Sequence, residues 1–224
     1  MSSSVRVCTA RMTHSARPRS DGTCLSTKFL RRATTGAVTR GYWAAKVKHT
    51  VENPVYTIGH STRAIEDYLN LLHKYRIMTV VDVRTIPKSR HNPQYNEDAL
   101  RSSLSKSNVA YIHFKGLGGL RRTTPDSVNT AWRNLSFRGY ADYMQTVEFA
   151  ESLEKLMTLA AESQTVIMCA EAVPWRCHRS LIGDALLIRG IVVEDIISES
   201  SCKPHKLTPF AKVEGNEITY PALP

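Results

Sequence analysis

The 224-residue chain has no apolar run near the ~20 residues that a bilayer-spanning helix requires, so neither a transmembrane segment nor a membrane partner is expected. Cysteine is scarce and scattered. Cys8, Cys24, Cys169, Cys177 and Cys202 form an odd set that excludes a disulfide framework and fits reduced thiols in a cytoplasmic setting. Acidic residues are nearly missing from the first fifty positions, where Asp21 stands against ten Lys and Arg, a balance of +9. Residues 51–224 hold twenty Lys and Arg against nineteen acids, a balance of +1, so the net charge of +10 resides in the tail. What remains is ordinary globular composition, 42% apolar and 22% charged, enough for one α/β domain of common size.

Residues 1–50 are rich in Ser, Thr and Arg and show no sustained apolar period, a composition that cannot offset chain entropy by burial. A disordered basic extension is therefore expected, with the α/β domain at 51–224. Three origins compete for it: an upstream extension before a natural domain start near Val51, an organelle transit peptide, or a basic arm for nucleic acid or membrane surfaces.

From Val55 the pattern changes. Val55–Ile58 reads as a strand, and Ile65, Tyr68, Leu69, Leu72 and His73 follow at helical spacing, with Ser61 or Thr62 as the cap. Met78–Val83, Val109–Phe114, Thr165–Cys169 and Ile191–Ile197 read as further strands. Helices are expected at Asn96–Lys106, from Tyr140 to about Glu162, and at Cys177–Arg189 ending at Gly190, with two short β-like pieces in Lys203–Pro224. Alternation of this kind predicts a three-layer α/β domain with a mostly parallel sheet of about five strands. Ligands of such sheets bind beyond the carboxyl ends of the strands.

Polar residues gather at those ends. His60 and Ser61 follow the first strand, Asp82, Arg84, Lys88, Ser89 and Arg90 the second, His113 and Lys115 the third, and Cys169 and Glu171 the fourth. The next helix begins with Arg176, Cys177, His178 and Arg179. A crevice so rich in cations suits a small anion such as a phosphate, nucleotide or carboxylate, held by His60, Ser61, Arg84, Ser89, Arg90, Arg176 and Arg179. Gly118 and Gly119 offer backbone N–H groups to a phosphate, or simply make a turn.

The sharpest chemical signal is Cys169-Ala-Glu-Ala-Val-Pro-Trp-Arg-Cys177-His178-Arg179. Pro174 is placed to open a helix, which puts Cys177 in a first turn whose dipole favours a thiolate. Cys169 is its potential partner, or a packing residue at the end of an apolar strand. His178 is an acid/base candidate beside them, Glu171 a carboxylate near the thiol, and Asp82 either a partner of Arg84 or a group that carries a proton. No metal site is expected, since adjacent residues of one helix seldom face one ion. No particular cofactor is indicated.

Thr57-Ile58-Gly59-His60-Ser61, Val81-Asp82-Val83-Arg84-x-x-Pro87-x-Ser89, Gly116-Leu117-Gly118-Gly119 and the Cys169–Arg179 stretch, with His205 and Leu207 later on, resemble in order and spacing the family known as domain of unknown function 488. The resemblance covers roughly residues 54–210 and implies an intracellular α/β protein, with no established reaction. Two function classes then compete. One is an enzyme acting on a small anionic, phosphate- or nucleotide-like substrate through a reactive cysteine, of which a rhodanese-like sulfurtransferase is a special case. Against that case, six residues lie between Cys169 and Arg176, more than the compact loop of rhodaneses or cysteine phosphatases. The other class is a non-catalytic module for a nucleotide or nucleic acid, with Trp175 stacking and the cysteines merely packed. The near-neutral core argues against extended nucleic-acid contact.

Overall fold

A computed structural model describes residues 53–222. The expectations for residues 1–50 lie outside the described residues. Five strands run parallel: β1 (Val55–Gly59), β2 (Thr79–Asp82), β3 (Ala110–His113), β4 (Thr165–Cys169) and β5 (Val193–Ser198). A sixth, β6 (Ser201–Pro204), returns antiparallel along β5, so the sheet has six strands in the order β3-β2-β4-β1-β5-β6. β7 (Lys212–Glu214) and β8 (Glu217–Thr219) form a separate hairpin turned at Gly215, whose φ of +63° lies in the left-handed region that glycine enters without steric cost.

The central strands are buried along their whole length, as parallel strands covered on both faces must be. Their side chains alternate between two cores. Val166 and Met168 face one, with Tyr68, Leu71 and Leu72 of α1 (Ile65–Lys74) and Leu100 and Leu104 of α2 (Glu97–Lys106). Ile167 and Cys169 face the other, with residues of α3 (Leu135–Tyr143), α4 (Val147–Glu162) and α5 (Arg179–Leu187). The three-layer α/β architecture read from the sequence is thus present, with one strand more than expected.

Helix boundaries differ in instructive ways. The long helix expected from Tyr140 is two, because Thr146 leaves the helical conformation and its side chain accepts the Phe149 N–H, capping α4. Neither Ser61 nor Thr62 caps α1. The Ser61 N–H is taken by the Ala170 carbonyl at 3.0 Å and its φ is +51°, so the helix starts after Ala64. Pro174 opens only a 3-10 turn, Pro174–Arg176, and α5 begins at Arg179.

Strand order decides where a site can form. From β1 the chain crosses through α1 on one face to β2, and from β4 it crosses through α5 on the other face to β5. β1 and β4 are neighbours, so their carboxyl ends are the point where connections diverge and a crevice opens. His60 follows one of these ends, and Cys169 closes the other.

Candidate active site

The segment from Cys169 to Arg179 is strapped across the β1–β4 crevice. The His60 and Ser61 N–H groups donate to the Cys169 and Ala170 carbonyls at 2.9 and 3.0 Å. Gly59 makes this approach possible, because a Cβ there would stand 1.8 Å from the Glu171 carbonyl oxygen. Gly59→Ala is therefore expected to displace the strap and destabilise the fold by about 1–3 kcal/mol, the usual cost of forcing atoms into a packed interior. Urea unfolding checks this, and an unchanged midpoint would refute the tight fit. From the other side Arg179, fully buried, donates to the Glu171 and Ala172 carbonyls. Its charge secures the loop from beneath, where an anion-holding role was expected from the sequence.

Within this strap the Cys169 and Cys177 sulfurs and a His178 ring nitrogen lie within 4.8 Å of one another. Cys177 precedes α5 in extended backbone (φ −135°, ψ 144°), and this conformation lets its thiol converge with that of Cys169 across seven intervening residues. His178 Nε2 sits 3.0 Å from the Val83 carbonyl, which makes it the protonated nitrogen and leaves Nδ1 for sulfur, 3.7 Å from Cys177 Sγ. The ring packs on Tyr140 at 4.9 Å, and a Cβ on Gly119 would come within 3.0 Å of Nδ1. Gly119 thus serves the site by admitting the imidazole. The Gly118 position is equally tight, since a Cβ there would meet the Lys115 carbonyl and Thr85 Oγ1 at 2.9 Å.

The sulfurs are not equivalent, a distinction the sequence reading left open. Cys169 is held well below the usual thiol range, first by a hydrogen bond from the Cys177 thiol, with further support from His178 and the Glu171 backbone against the cost of burial. Cys177 is pushed up by the same shared hydrogen bond and by burial. This direction favours ionisation at Cys169 over Cys177. The helix dipole invoked for Cys177 loses its premise, since that residue lies before the first turn of α5. Glu171 helps through its N–H, while its carboxylate turns to the Ala172 N–H at 3.0 Å.

The remaining candidates separate into supports and surface. Arg84 and Asp82, both buried, form a bidentate pair with a closest approach of 2.6 Å; Tyr111 donates to the same carboxylate and Arg84 also to the Tyr95 carbonyl. All of these bonds are internal, so both residues brace the sheet end. His60 is buried, stacks on Tyr95 at 4.0 Å and points Nδ1 at the Ser61 carbonyl. Burial lowers its pKa to about 4, so it is neutral at pH 7 and cannot serve as a general acid there. Ser89 shapes its loop, its N–H bonded to Asn96 Oδ1 at 2.7 Å and its Oγ to the Asn92 N–H. Arg90 and Arg176 are exposed, and Arg176 has no carboxylate partner among the described residues.

The same two sulfurs and imidazole nitrogen are also a ligand set for a soft cation such as zinc. A carbonyl on the distal nitrogen is how metal-binding histidines are commonly oriented. The expectation of no metal rested on the adjacent Cys177 and His178 facing apart on one helix, and the extended backbone of Cys177 removes that premise.

A second buried polar cluster escaped the sequence reading apart from His205. His205 bridges Asp184 Oδ1 and Asp195 Oδ2, each at 3.1 Å, while Tyr220 and Thr57 donate to the same two carboxylates. Its signal was Asp184 in the otherwise apolar run Leu181–Leu187.

Fold and site together define an α/β protein with a mostly parallel sheet, a pair of thiols and an imidazole at the divergence point of its central strands. The chain belongs to the family described as Domain of unknown function DUF488, whose model matches residues 64–186. No curated protein and no solved structure matches it. Among the described residues no helix is long and apolar enough to cross a membrane.

Proposed function

We propose that this protein is a thiol-dependent enzyme that acts on a small anionic substrate, with Cys169 as the nucleophile and Cys177 as the second thiol. The observation that carries the reading is the convergence of Cys169, Cys177 and His178 within 4.8 Å, with the thiolate favoured at Cys169. Paired thiols suit an electrophilic sulfur, R–S–X. The Cys169 thiolate attacks that sulfur, an S–S bond forms, and X departs with the electron pair of the broken S–X bond. Cys177 gives its proton to His178 Nδ1 and attacks the Cys169 sulfur, releasing R–S⁻ and leaving a Cys169–Cys177 disulfide. Two equivalents of a small cellular thiol reduce that disulfide and are themselves oxidised. Exposed Arg176, next to Cys177 in the chain, is the cation that draws the anion.

Phosphoryl transfer fits less well. The Ala172 N–H donates to Glu171, and the Arg176 and Cys177 N–H groups donate to the Val173 and Pro174 carbonyls. These donors are used inside the loop, where a phosphate would need them turned outward.

The test is alkylation across pH, read by mass spectrometry at Cys169 and Cys177 separately. Cys169 is expected to label well below pH 8.5, the ordinary thiol value, and Cys177 to lag. Slow labelling of both in the folded protein overturns the reading. Loss of Cys169 labelling on adding zinc alone would place the metal, and not a free thiolate, at this centre.

A further inference from the structure

A cavity whose lining includes neither thiol lies beside the strap. It measures about 700 Å³, and its wall includes Pro174 and Trp175 of the strap and Ser180 of α5. This volume falls within the range that holds a small organic ligand, roughly 300–1,000 Å³. Two features of the lining specify what such a ligand must be.

The first is flat aromatic surface. Trp132, Trp175 and Phe210 line the cavity. Trp132 is fixed, with Phe137 stacked at 4.8 Å and Phe210 edge-on at 4.9 Å, so it is a preformed wall. Trp175 is 67% exposed, so its indole face is open to a ligand.

The second is charge. Lys203 and Lys206 line the cavity and are exposed, and among the described residues neither is paired with a carboxylate. The acidic lining residue, Asp195, is already engaged by His205 and Thr57. The lysines are therefore uncompensated in a cavity that is otherwise aromatic and proline-rich.

We propose that this cavity is a binding site for a small molecule that joins a planar aromatic ring to an anionic group, a nucleoside monophosphate being the simplest with both. The ring lies among Trp132, Trp175 and Phe210, and the phosphate meets Lys203 and Lys206. The site does not depend on thiol chemistry at Cys169. It shares the Pro174–Ser180 segment with the thiol site, so an occupant stands one loop away from the sulfurs.

Titration of the full chain with AMP, adenosine and ribose 5-phosphate, followed by calorimetry and tryptophan fluorescence, tests this. AMP is expected to bind saturably and at least tenfold more tightly than either fragment. Lys203→Ala/Lys206→Ala should remove the preference for AMP over adenosine, and Trp175→Ala should remove the preference for AMP over ribose 5-phosphate. All the substituted residues are exposed, so folding is expected to survive, and circular dichroism verifies it. Absence of saturable AMP binding up to millimolar concentration, or AMP affinity unchanged in both variants, overturns the proposal. Alkylation of Cys169 in the double lysine variant, expected at the wild-type rate, keeps failure here distinct from failure of the thiol mechanism.

Discussion

Replacing Cys177 by alanine is expected to move the pH midpoint of Cys169 labelling upward, toward the ordinary thiol value. The Cys177 thiol is the first cause of the depressed Cys169 pKa, and a hydrogen bond to a charged group is worth ~1.5–3 kcal/mol. The labelling rate changes less than the thiolate fraction, because a thiolate of higher pKa is a better nucleophile. A fall of roughly 3- to 10-fold at pH 6 is therefore anticipated from the same relation. Cys177→Ser, which keeps a donor, should restore most of the shift. An alanine variant with the wild-type midpoint would show that His178 and the Glu171 N–H hold the thiolate unaided, and would remove Cys177 from the mechanism.

The converse substitution separates nucleophile from resolver. With Cys169→Ser, Cys177 loses the partner that raises its pKa most, and what remains is burial opposed by the positive field of Arg179. It should then label at lower pH than in the wild type.

The outline of this site was legible because βαβ chains put their chemistry at strand ends, and residues such as His60, Asp82 and Cys169 are polar or reactive groups closing apolar runs. What those residues do was less legible. Arg84 and Arg179 read as anion holders by charge alone. Whether a guanidinium faces a ligand or its own backbone depends on burial, which is settled only when the sheet and strap close over it. The two cysteines posed a similar difficulty. Spacing could not tell whether they meet, because the answer lay in the extended backbone at Cys177 and the 3-10 turn before it. Glycines carried more information than their phosphate-binding reading suggested. Gly59 and Gly119 mark places where Glu171 and His178 come too close for a Cβ. β6 was missed because Ser201–Pro204 is short and polar, as an antiparallel edge strand beside solvent can be.

Two buried histidines displaced in opposite directions should each leave a separate pH-dependent signature in the stability of the fold. His60 is lowered to about 4, chiefly by burial, so between pH 4 and 6.5 the unfolded chain binds a proton that the native state refuses. Stability therefore rises with pH across that window. His205 is raised to about 9, because bonds to Asp184 and Asp195 outweigh its burial. Its contribution is complete below pH 6.5 and is lost as pH climbs through 9, so stability falls there. Each displacement corresponds to roughly 3 kcal/mol by linkage. The Cys169 thiol, whose ionisation the fold favours, tilts the alkaline side upward, so the His205 effect is read as the difference between the wild type and His205→Gln. That difference should shrink by about 3 kcal/mol between pH 6 and 10 in urea unfolding, while His60→Gln should flatten the acid limb between pH 6.5 and 4. A wild-type advantage over His205→Gln that stays constant from pH 6 to 10 would mean that His205 is neutral in the folded protein and that its bridge to the two aspartates carries no charge.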